Sequence, residues 1–158
     1  MPSASVYSPA MIDWEALIAA ATAARERAHA PYSRFLVGAA LLMEDGSIVT
    51  GCNVENRSYG LAICAERTAM ATAVAQGLSK PTALAVVTTT SPPSAPCGMC
   101  RETLREFAED LPILLANLEG EQAETTLAEL LPRSFVLIHI SIRVCSFIHR
   151  EQKRKVKT

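Results

Sequence analysis

Hydrophobic residues along this chain recur at helical spacing in some stretches and form short strand-like runs in others, and the two kinds alternate. Four stretches predict helices, at residues 12–28, 65–76, 96–108 and 124–131. Four short apolar runs predict strands, at residues 37–43, 47–53, 83–90 and 113–116. Helices interleaved with strands predict an α/β domain in three α/β/α layers.

Turn and cap residues separate these elements. Asp13 is placed to cap the first helix, and Gly77 is a plausible end for the second. The turn Glu44-Asp45-Gly46 stands between two strand-like runs and indicates a hairpin. Pro96 suits the start of the third helix, where its missing N–H costs little. A length of 158 residues, 49% of them hydrophobic and 20% charged, fits one domain with a real core.

The cysteines point to metal or redox chemistry rather than to a disulfide framework. Their number, five, is odd, and the N-terminus has no basic segment followed by an apolar run, so we expect a reduced, cytoplasmic setting. Cys97 and Cys100 alone could form a redox dithiol, but that interpretation leaves Cys64 and Glu66 without a role. Cys52 and Cys145 are expected to be ordinary small apolar residues.

Cys64-Ala65-Glu66 and Pro96-Cys97-Gly98-Met99-Cys100 together predict a catalytic zinc site. A catalytic zinc ion uses three protein ligands and keeps one position open, and three such ligands with a glutamate two residues past the first are typical of zinc deaminases. Both segments are predicted to begin helices, whose dipoles favour thiolates. Three thiolates with Zn²⁺ sum to one negative charge, which Arg67 or Arg101 could offset. Arg67 is the better candidate for hydrogen bonding to a ligand sulfur.

These segments, taken with others in the same order, resemble the short, single-domain cytidine deaminases over about residues 13–135. The segments that carry the resemblance are 31–42, the turn Asp45-Gly46, 51–60, 64–69, 96–102 and 130–135. The resemblance implies a mixed five-stranded sheet, a zinc cofactor and a homotetramer whose sites are completed across subunits. It also implies hydrolytic deamination of cytidine and deoxycytidine to uridine and deoxyuridine plus ammonia, in pyrimidine salvage.

The same resemblance implies roles for individual residues. Glu66 would take a proton from water and pass it to the substrate ring nitrogen and then to the leaving amine. Asn53 and Glu55 would bind the ribose 3′-hydroxyl, although both could instead make local turn bonds at a strand end. The remaining substrate contacts are expected from Phe35, Val54, Asn56, Tyr59, the N–H of Ala65, and Phe135 of a neighbouring subunit.

Three other functions share part of this pattern. A polynucleotide deaminase would need a basic groove, but residues 1–135 hold 9 Lys and Arg against 15 Asp and Glu, so no nucleic-acid partner is expected. A deaminase of a nucleoside antibiotic such as blasticidin is possible, though the Asn53–Asn56 loop with Tyr59 favours cytidine. A non-catalytic zinc module would have no use for Glu66.

The chain departs from the family pattern in two places. Glu102 stands where the family commonly has Gln, and could alter metal tuning or only a contact on the helix surface. After Phe135 the sequence diverges, so we predict a catalytic domain at 1–135 and a basic extension at 136–158, with six basic residues and one acidic one. The extension could be non-catalytic, a targeting patch or an added strand. Its apolar run is too short and too interrupted to span a membrane.

Overall fold

The computed structural model describes residues 12–135, which form a five-stranded sheet with helices on both faces. The strands are β1 Gly38–Met43, β2 Ile48–Cys52, β3 Pro81–Thr88, β4 Pro112–Asn117 and β5 Gln122–Thr126. The helices are α1 Trp14–Arg25, α2 Ala65–Ala75, α3 Gly98–Phe107 and the short α4 Leu127–Leu130, with a 3-10 turn at Tyr59–Leu61. The predicted α/β class and mixed five-stranded sheet are confirmed.

The strand order is β2-β1-β3-β4-β5, and β3 and β4 are parallel while the other neighbours are antiparallel. A parallel pair needs a crossover connection, and here that crossover contains α3. The chain therefore leaves the carboxyl end of β3 and reaches the start of α3 through one loop. This connection brings the Pro96–Cys100 segment to the middle of the sheet.

Side-chain size differs between the two faces of the sheet. Ala40, Ala83 and Ala85 point to the face covered by α1, where small residues let the helix approach closely. A Cβ on Gly38 would lie only 1.9 Å from the carbonyl oxygen of Ala21, so glycine is required there. The opposite face packs against α2 and α3 through larger residues, among them Leu41, Leu84, Val86, Ile113 and Leu115. That second core holds the two segments predicted to bind zinc.

The hairpin and the first two helices begin and end close to their predicted positions. Asp13 caps α1 by accepting a hydrogen bond from the Ala16 N–H at 3.0 Å. Gly46 and Gly77 have φ angles of +84° and +83°, the left-handed conformation that a turn and a helix end require.

Two predictions about the helices were wrong, one about where a helix begins and one about the type of element. The third helix begins at Gly98 rather than Pro96, because Cys97 has an extended backbone, with ψ of 166°, and acts as the N-cap. The predicted helix at 124–131 is strand β5 followed by α4. The open edge of β4 needs a hydrogen-bonding partner, and the polar run Gln122–Thr126 provides it despite having no strand-like pattern. Thr126 and Glu129 then form a capping box that begins α4.

The extension at 136–158, Cys145 and the start of the chain lie outside the described residues. Within residues 12–135, no helix combines the length and the apolar character needed to cross a membrane.

Candidate active site

Three cysteine sulfurs meet at the N-termini of two helices. Cys64 is the N-cap of α2, Cys97 is the N-cap of α3, and Cys100 lies one turn further along α3. The Cys97 Sγ lies 3.7 Å from the Cys64 Sγ and 3.5 Å from the Cys100 Sγ, and all three sulfurs are within 4.8 Å of one another. Zinc–sulfur bonds of about 2.3 Å in a tetrahedron place two sulfurs roughly 3.8 Å apart. The spacing therefore fits one zinc ion held by three thiolates.

The position of Cys64 depends on a close approach between α2 and the sheet. A Cβ on Gly51 of β2 would lie 2.3 Å from the Ala69 nitrogen and 2.5 Å from the Ala65 carbonyl oxygen. No larger residue fits at this position without moving the helix. Gly51 thus allows the first turn of α2 to rest directly on β2, beside the binding loop that follows that strand.

The sulfur cluster is electrostatically prepared to hold a thiolate. Hydrogen bonding from Cys100, followed by contributions from Arg67 and Cys97, lowers the pKa of Cys64 to about 5. The hydrogen bond with Cys64, together with burial, raises the pKa of the Cys100 thiol, because Cys100 keeps the proton that it donates to the Cys64 sulfur. The Arg67 Nη2 lies 3.8 Å from the Cys64 Sγ and 3.3 Å from the Ala62 carbonyl oxygen. Arg67 therefore supplies positive charge beside the cluster.

Arg101 forms hydrogen bonds with two backbone carbonyl groups. Its Nε donates to the Pro96 carbonyl oxygen at 2.7 Å and its Nη1 to the Leu130 carbonyl oxygen at 2.8 Å. These bonds join the start of α3 to the end of α4. Of the two arginines considered from the sequence, Arg67 is the one that contacts a sulfur.

Glu66 is a buried carboxylate in the first turn of α2, with only 4% of its surface exposed. Burial raises the pKa of Glu66, and the charge of Cys64 raises it further. A carboxyl group with a raised pKa binds a proton more readily than an ordinary carboxylate, which suits it to general acid–base catalysis. Glu66 lines the same cavity as Cys64 and Cys97.

That cavity has a volume of about 360 Å³ and lies over the sulfur cluster at the carboxyl end of β3. It brings together many of the residues predicted from the sequence, namely Phe35, Asn53, Val54, Glu55, Tyr59, Cys64, Glu66, Arg67 and Cys97. Sequence reasoning missed two hydroxyl residues on its wall, Thr88 and Ser94. The pattern offered little signal for them, because Thr88 ends a buried strand and Ser94 lies in a proline-rich loop.

Three predicted substrate contacts are not among the residues that line this cavity. Asn56 lines a neighbouring cavity of about 380 Å³ together with Tyr32 and Ser33. Ala65 is fully buried at the start of α2. Phe135 is 75% exposed, and its backbone N–H donates to the Glu102 Oε1 at 3.2 Å. This contact places the Glu102 carboxylate on the outer surface of α3, toward the end of the described chain.

Asn53 and Glu55 form hydrogen bonds with the backbone of the loop that precedes β1. The Asn53 Oδ1 accepts from the Val37 N–H at 2.8 Å, and its Nδ2 donates to the Phe35 carbonyl oxygen at 2.8 Å. Glu55 accepts from the Tyr32 N–H at 2.9 Å and from the Ser33 hydroxyl. The Ser33 and Tyr32 hydrogen bonds lower the pKa of Glu55, so it stays ionised. Each side chain keeps further hydrogen-bonding capacity toward the cavity.

Comparison with known proteins agrees with this architecture. Residues 11–114 match the family model described as the cytidine and deoxycytidylate deaminase zinc-binding region. Cytidine deaminase of Sporosarcina psychrophila is 52% identical over 125 residues, which cover 78% of this chain and 92% of that protein. A crystal structure of cytidine deaminase from Burkholderia pseudomallei is 50% identical, with a TM-score of 0.76, and the match covers 78% of this chain and 100% of that one.

Blasticidin-S deaminase of Bacillus cereus is also similar, at 32% identity over 107 residues that cover 63% of this chain and 76% of that protein. The Burkholderia pseudomallei structure shares the layered fold of this chain. The chain belongs to the cytidine deaminase family of enzymes, as the sequence motifs predicted.

Proposed function

We propose that this chain catalyses the zinc-dependent hydrolytic deamination of cytidine and deoxycytidine, which yields uridine or deoxyuridine and ammonia. The observation that carries the proposal is the position of Glu66, a buried carboxylate that shares one cavity with a cluster of three cysteine sulfurs. A zinc site with a purely structural role has no need of a carboxylate in an adjoining cavity.

Cys64, Cys97 and Cys100 are the residues that would hold the metal. When bound, Zn²⁺ supplies Lewis acidity and lowers the pKa of water at its open position toward ~7. Arg67 balances the excess negative charge of three thiolates through its contact with the Cys64 sulfur.

Glu66 would move every proton in the reaction. Its carboxylate takes a proton from the attacking water and delivers it to ring nitrogen 3 as oxygen adds to ring carbon 4. It then takes the remaining proton from the hydroxyl group on carbon 4 and delivers it to the amino nitrogen, which leaves as ammonia while the carbon–oxygen double bond forms. One group can perform both transfers because it accepts each proton as a carboxylate and returns it as a carboxylic acid, and its raised pKa favours binding of the proton.

The cavity wall would orient the nucleoside. Asn53 and Glu55 are suited to hydrogen-bond the sugar, and Phe35, Val54 and Tyr59 offer apolar contact to the base and the sugar. The N–H of Ala65 at the start of α2 and Asn56 beside the cavity complete the set.

Among the described residues that line the cavity, Arg67 is the one cation, and its contacts with Cys64 and Ala62 leave it poorly placed for a phosphate. This favours an uncharged nucleoside over a nucleotide.

A substrate panel tests the proposal. Purified protein should contain about one zinc per chain and should remove the cytosine absorbance band of cytidine and deoxycytidine with release of ammonia. Cytidine monophosphate, free cytosine and blasticidin S complete the panel, the last because a similar protein is a blasticidin-S deaminase. Zinc binding without turnover of any of these compounds would reduce the chain to a non-catalytic zinc module.

Glu55→Gln is expected to reduce kcat/KM for cytidine by about 10- to 100-fold, because hydrogen bonds to charged groups are worth ~1.5–3 kcal/mol. The substitution is suited to the site because a glutamine oxygen can still accept from the Tyr32 N–H while its amide donates to the Ser33 hydroxyl. Loop geometry is thus kept while the charged acceptor is lost. Steady-state kinetics with cytidine measure the effect.

Glu44→Gln provides the matched control, since Glu44 lies at the hairpin turn and pairs with Lys80 at 3.0 Å on the surface. It should leave kcat/KM for cytidine unchanged. If the two variants had equal kcat/KM for cytidine, Glu55 would have no role in substrate binding. The same conclusion would follow if the wild-type enzyme deaminated free cytosine as fast as cytidine.

We further propose that the enzyme is a cytoplasmic homotetramer of pyrimidine salvage, without nucleic-acid or membrane partners. The exposure of Phe135, at 75%, supports a role in a neighbouring subunit's site, because a large apolar residue at the surface suits an interface. Exposed Tyr59, Leu61 and Met99 give the surface around the cavity the same character. Light scattering on the purified protein measures the assembly.

Residues 1–135 are proposed as the complete catalytic domain. A chain that ends after Phe135 should therefore keep zinc, tetrameric assembly and cytidine turnover within about twofold of the full chain. Contacts from α3 support this boundary, since Arg105 Nε lies 3.3 Å from the Ser134 Oγ and Glu102 accepts from the Phe135 N–H.

A chain that ends after Leu131 is the comparison, because it also removes Ser134 and Phe135. It should lose turnover while keeping zinc. If the chain that ends after Phe135 lost tetrameric assembly or activity, residues 136–158 would be part of the functional enzyme.

A further inference from the structure

The loop that leads from β3 to Cys97 has little backbone support. It contains Pro92, Pro93 and Pro96, which have no N–H to donate. Within the described part of the chain, residues 90–96 make no backbone–backbone hydrogen bond. The position of this loop, and of the cysteine that follows it, must therefore come from side chains.

Hydroxyl groups hold the loop on the side of the cavity. The Thr90 Oγ1 lies 2.7 Å from the Ser94 Oγ and 3.1 Å from the Thr88 Oγ1. The Ser94 N–H donates to the Thr88 Oγ1 at 3.4 Å, which closes a small ring of hydrogen bonds. Thr88 is only 1% exposed, so its hydroxyl depends on these partners. Thr90 is the central member, because both other hydroxyls bond to it.

A buried amide holds the loop on the opposite side. The Asn117 Nδ2, at the end of β4, donates to the Thr90 carbonyl oxygen at 3.2 Å and to the Glu121 Oε2 at 3.1 Å. The Ser91 hydroxyl donates to the same Glu121 oxygen at 2.7 Å. Thr90 is thus held through its side chain on one side and its backbone on the other.

The loop then passes directly into the sulfur cluster. The Pro96 carbonyl oxygen accepts from Arg101 Nε at 2.7 Å, and Cys97 follows as the N-cap of α3. Cys97 lies between the other two cysteines, so a displacement of this loop changes both of its sulfur–sulfur distances. Ligands must be held to within about 0.5 Å of their working geometry.

We propose that Thr90 is a positioning residue for the metal site, which acts by holding the 91–96 loop and thereby the Cys97 sulfur. This inference rests on the proposed function in taking zinc as the ion that the three thiolates bind. Thr90 itself is not among the residues that line the cavity, so it acts through Ser94, Thr88 and the loop. The amide of Asn117 supports it from β4.

Thr90→Val is the decisive variant, because valine keeps the shape of threonine and removes its hydroxyl. Zinc affinity, measured by competition with a chromogenic chelator, should fall by about 10- to 100-fold, the usual effect of losing a group that orients a metal ligand. Thr90→Ser keeps the hydroxyl and should retain wild-type zinc affinity. Cytidine kinetics with saturating zinc should show a lower kcat for the valine variant.

Thr22→Val is the matched control on the opposite face of the sheet, where the Thr22 Oγ1 donates to the Ile18 carbonyl oxygen at 2.8 Å. It should lower the melting temperature slightly and leave zinc affinity unchanged. The inference is overturned if Thr90→Val behaves in the same way, with reduced thermal stability and unchanged zinc affinity.

If Thr90→Val does not fold, Ser94→Ala decides the question, because it removes one partner of the same hydroxyl ring. Weaker zinc binding by Ser94→Ala supports the inference, and unchanged binding overturns it. A wild-type protein that binds no zinc would instead contradict the proposed function. A wild-type enzyme with zinc and activity but no effect of these substitutions would contradict the positioning role alone.

Discussion

Glu66→Gln should abolish nearly all deamination while the protein keeps about one zinc per chain. General acid–base catalysis contributes ~10²–10⁴-fold per transfer, and Glu66 is proposed to make both transfers, so kcat should fall by at least that factor. Zinc should remain because the three sulfurs, and not Glu66, form the cluster suited to the metal. Cytidine kinetics and zinc quantification on the same sample measure the two effects separately.

Glu102→Gln is the matched control for this change. Glu102 lies on α3 and its Oε1 accepts from the Phe135 N–H, a bond that a glutamine oxygen can also accept. This control should keep wild-type turnover, and it also tests whether the departure at Glu102 tunes the metal. Activity of Glu66→Gln within tenfold of wild type would exclude Glu66 as the proton carrier.

Loss of any cluster cysteine should remove both zinc and turnover. Cys64→Ala, Cys97→Ala and Cys100→Ala each leave two thiolates, too few for the three protein ligands of a catalytic zinc site. Zinc per chain should fall from about one to near zero, as measured by metal analysis after dialysis. Circular dichroism should show a folded protein, since the fold also rests on the two cores around the sheet.

Cys52→Ala provides the comparison for these variants. Cys52 is at the end of β2, where it pairs with Gly38 of β1, and its sulfur is outside the cluster. The variant should keep zinc and activity. Stoichiometric zinc in any of the three cluster variants would mean that the site is built differently from the arrangement proposed here.

Local signals in the sequence were sufficient for the elements that carry the cysteines. Cys64-Ala65-Glu66 and the Pro96–Cys100 segment could be assigned to helix starts, because capping and thiolate spacing are properties of a few adjacent residues. The start of α3 was still placed two residues early, since proline is tolerated both before and within a first turn. The hairpin at Gly46 was predicted for the same local reason.

Elements that depend on partners far along the chain were not predictable in this way. Strand β5 has a polar sequence and forms because β4 offers an open edge. The contact of Asn53 with the segment at Phe35 and Val37, and that of Glu55 with Tyr32 and Ser33, also require the folded chain.

The sequence by itself determined the family and the α/β class, and it supplied the residues of the proposed site, which are three cysteines, a glutamate and an arginine. Motif spacing carries that information because the residues within each of the two segments are neighbours along the chain. Only the tertiary structure showed that Arg101 bonds instead to the carbonyl oxygens of Pro96 and Leu130, and that Thr90 and Asn117 hold the loop before Cys97. The bond between Asn117 and Thr90 depends on the parallel pairing of β3 with β4, which brings polar groups that are far apart in the sequence together at the carboxyl ends of the two strands.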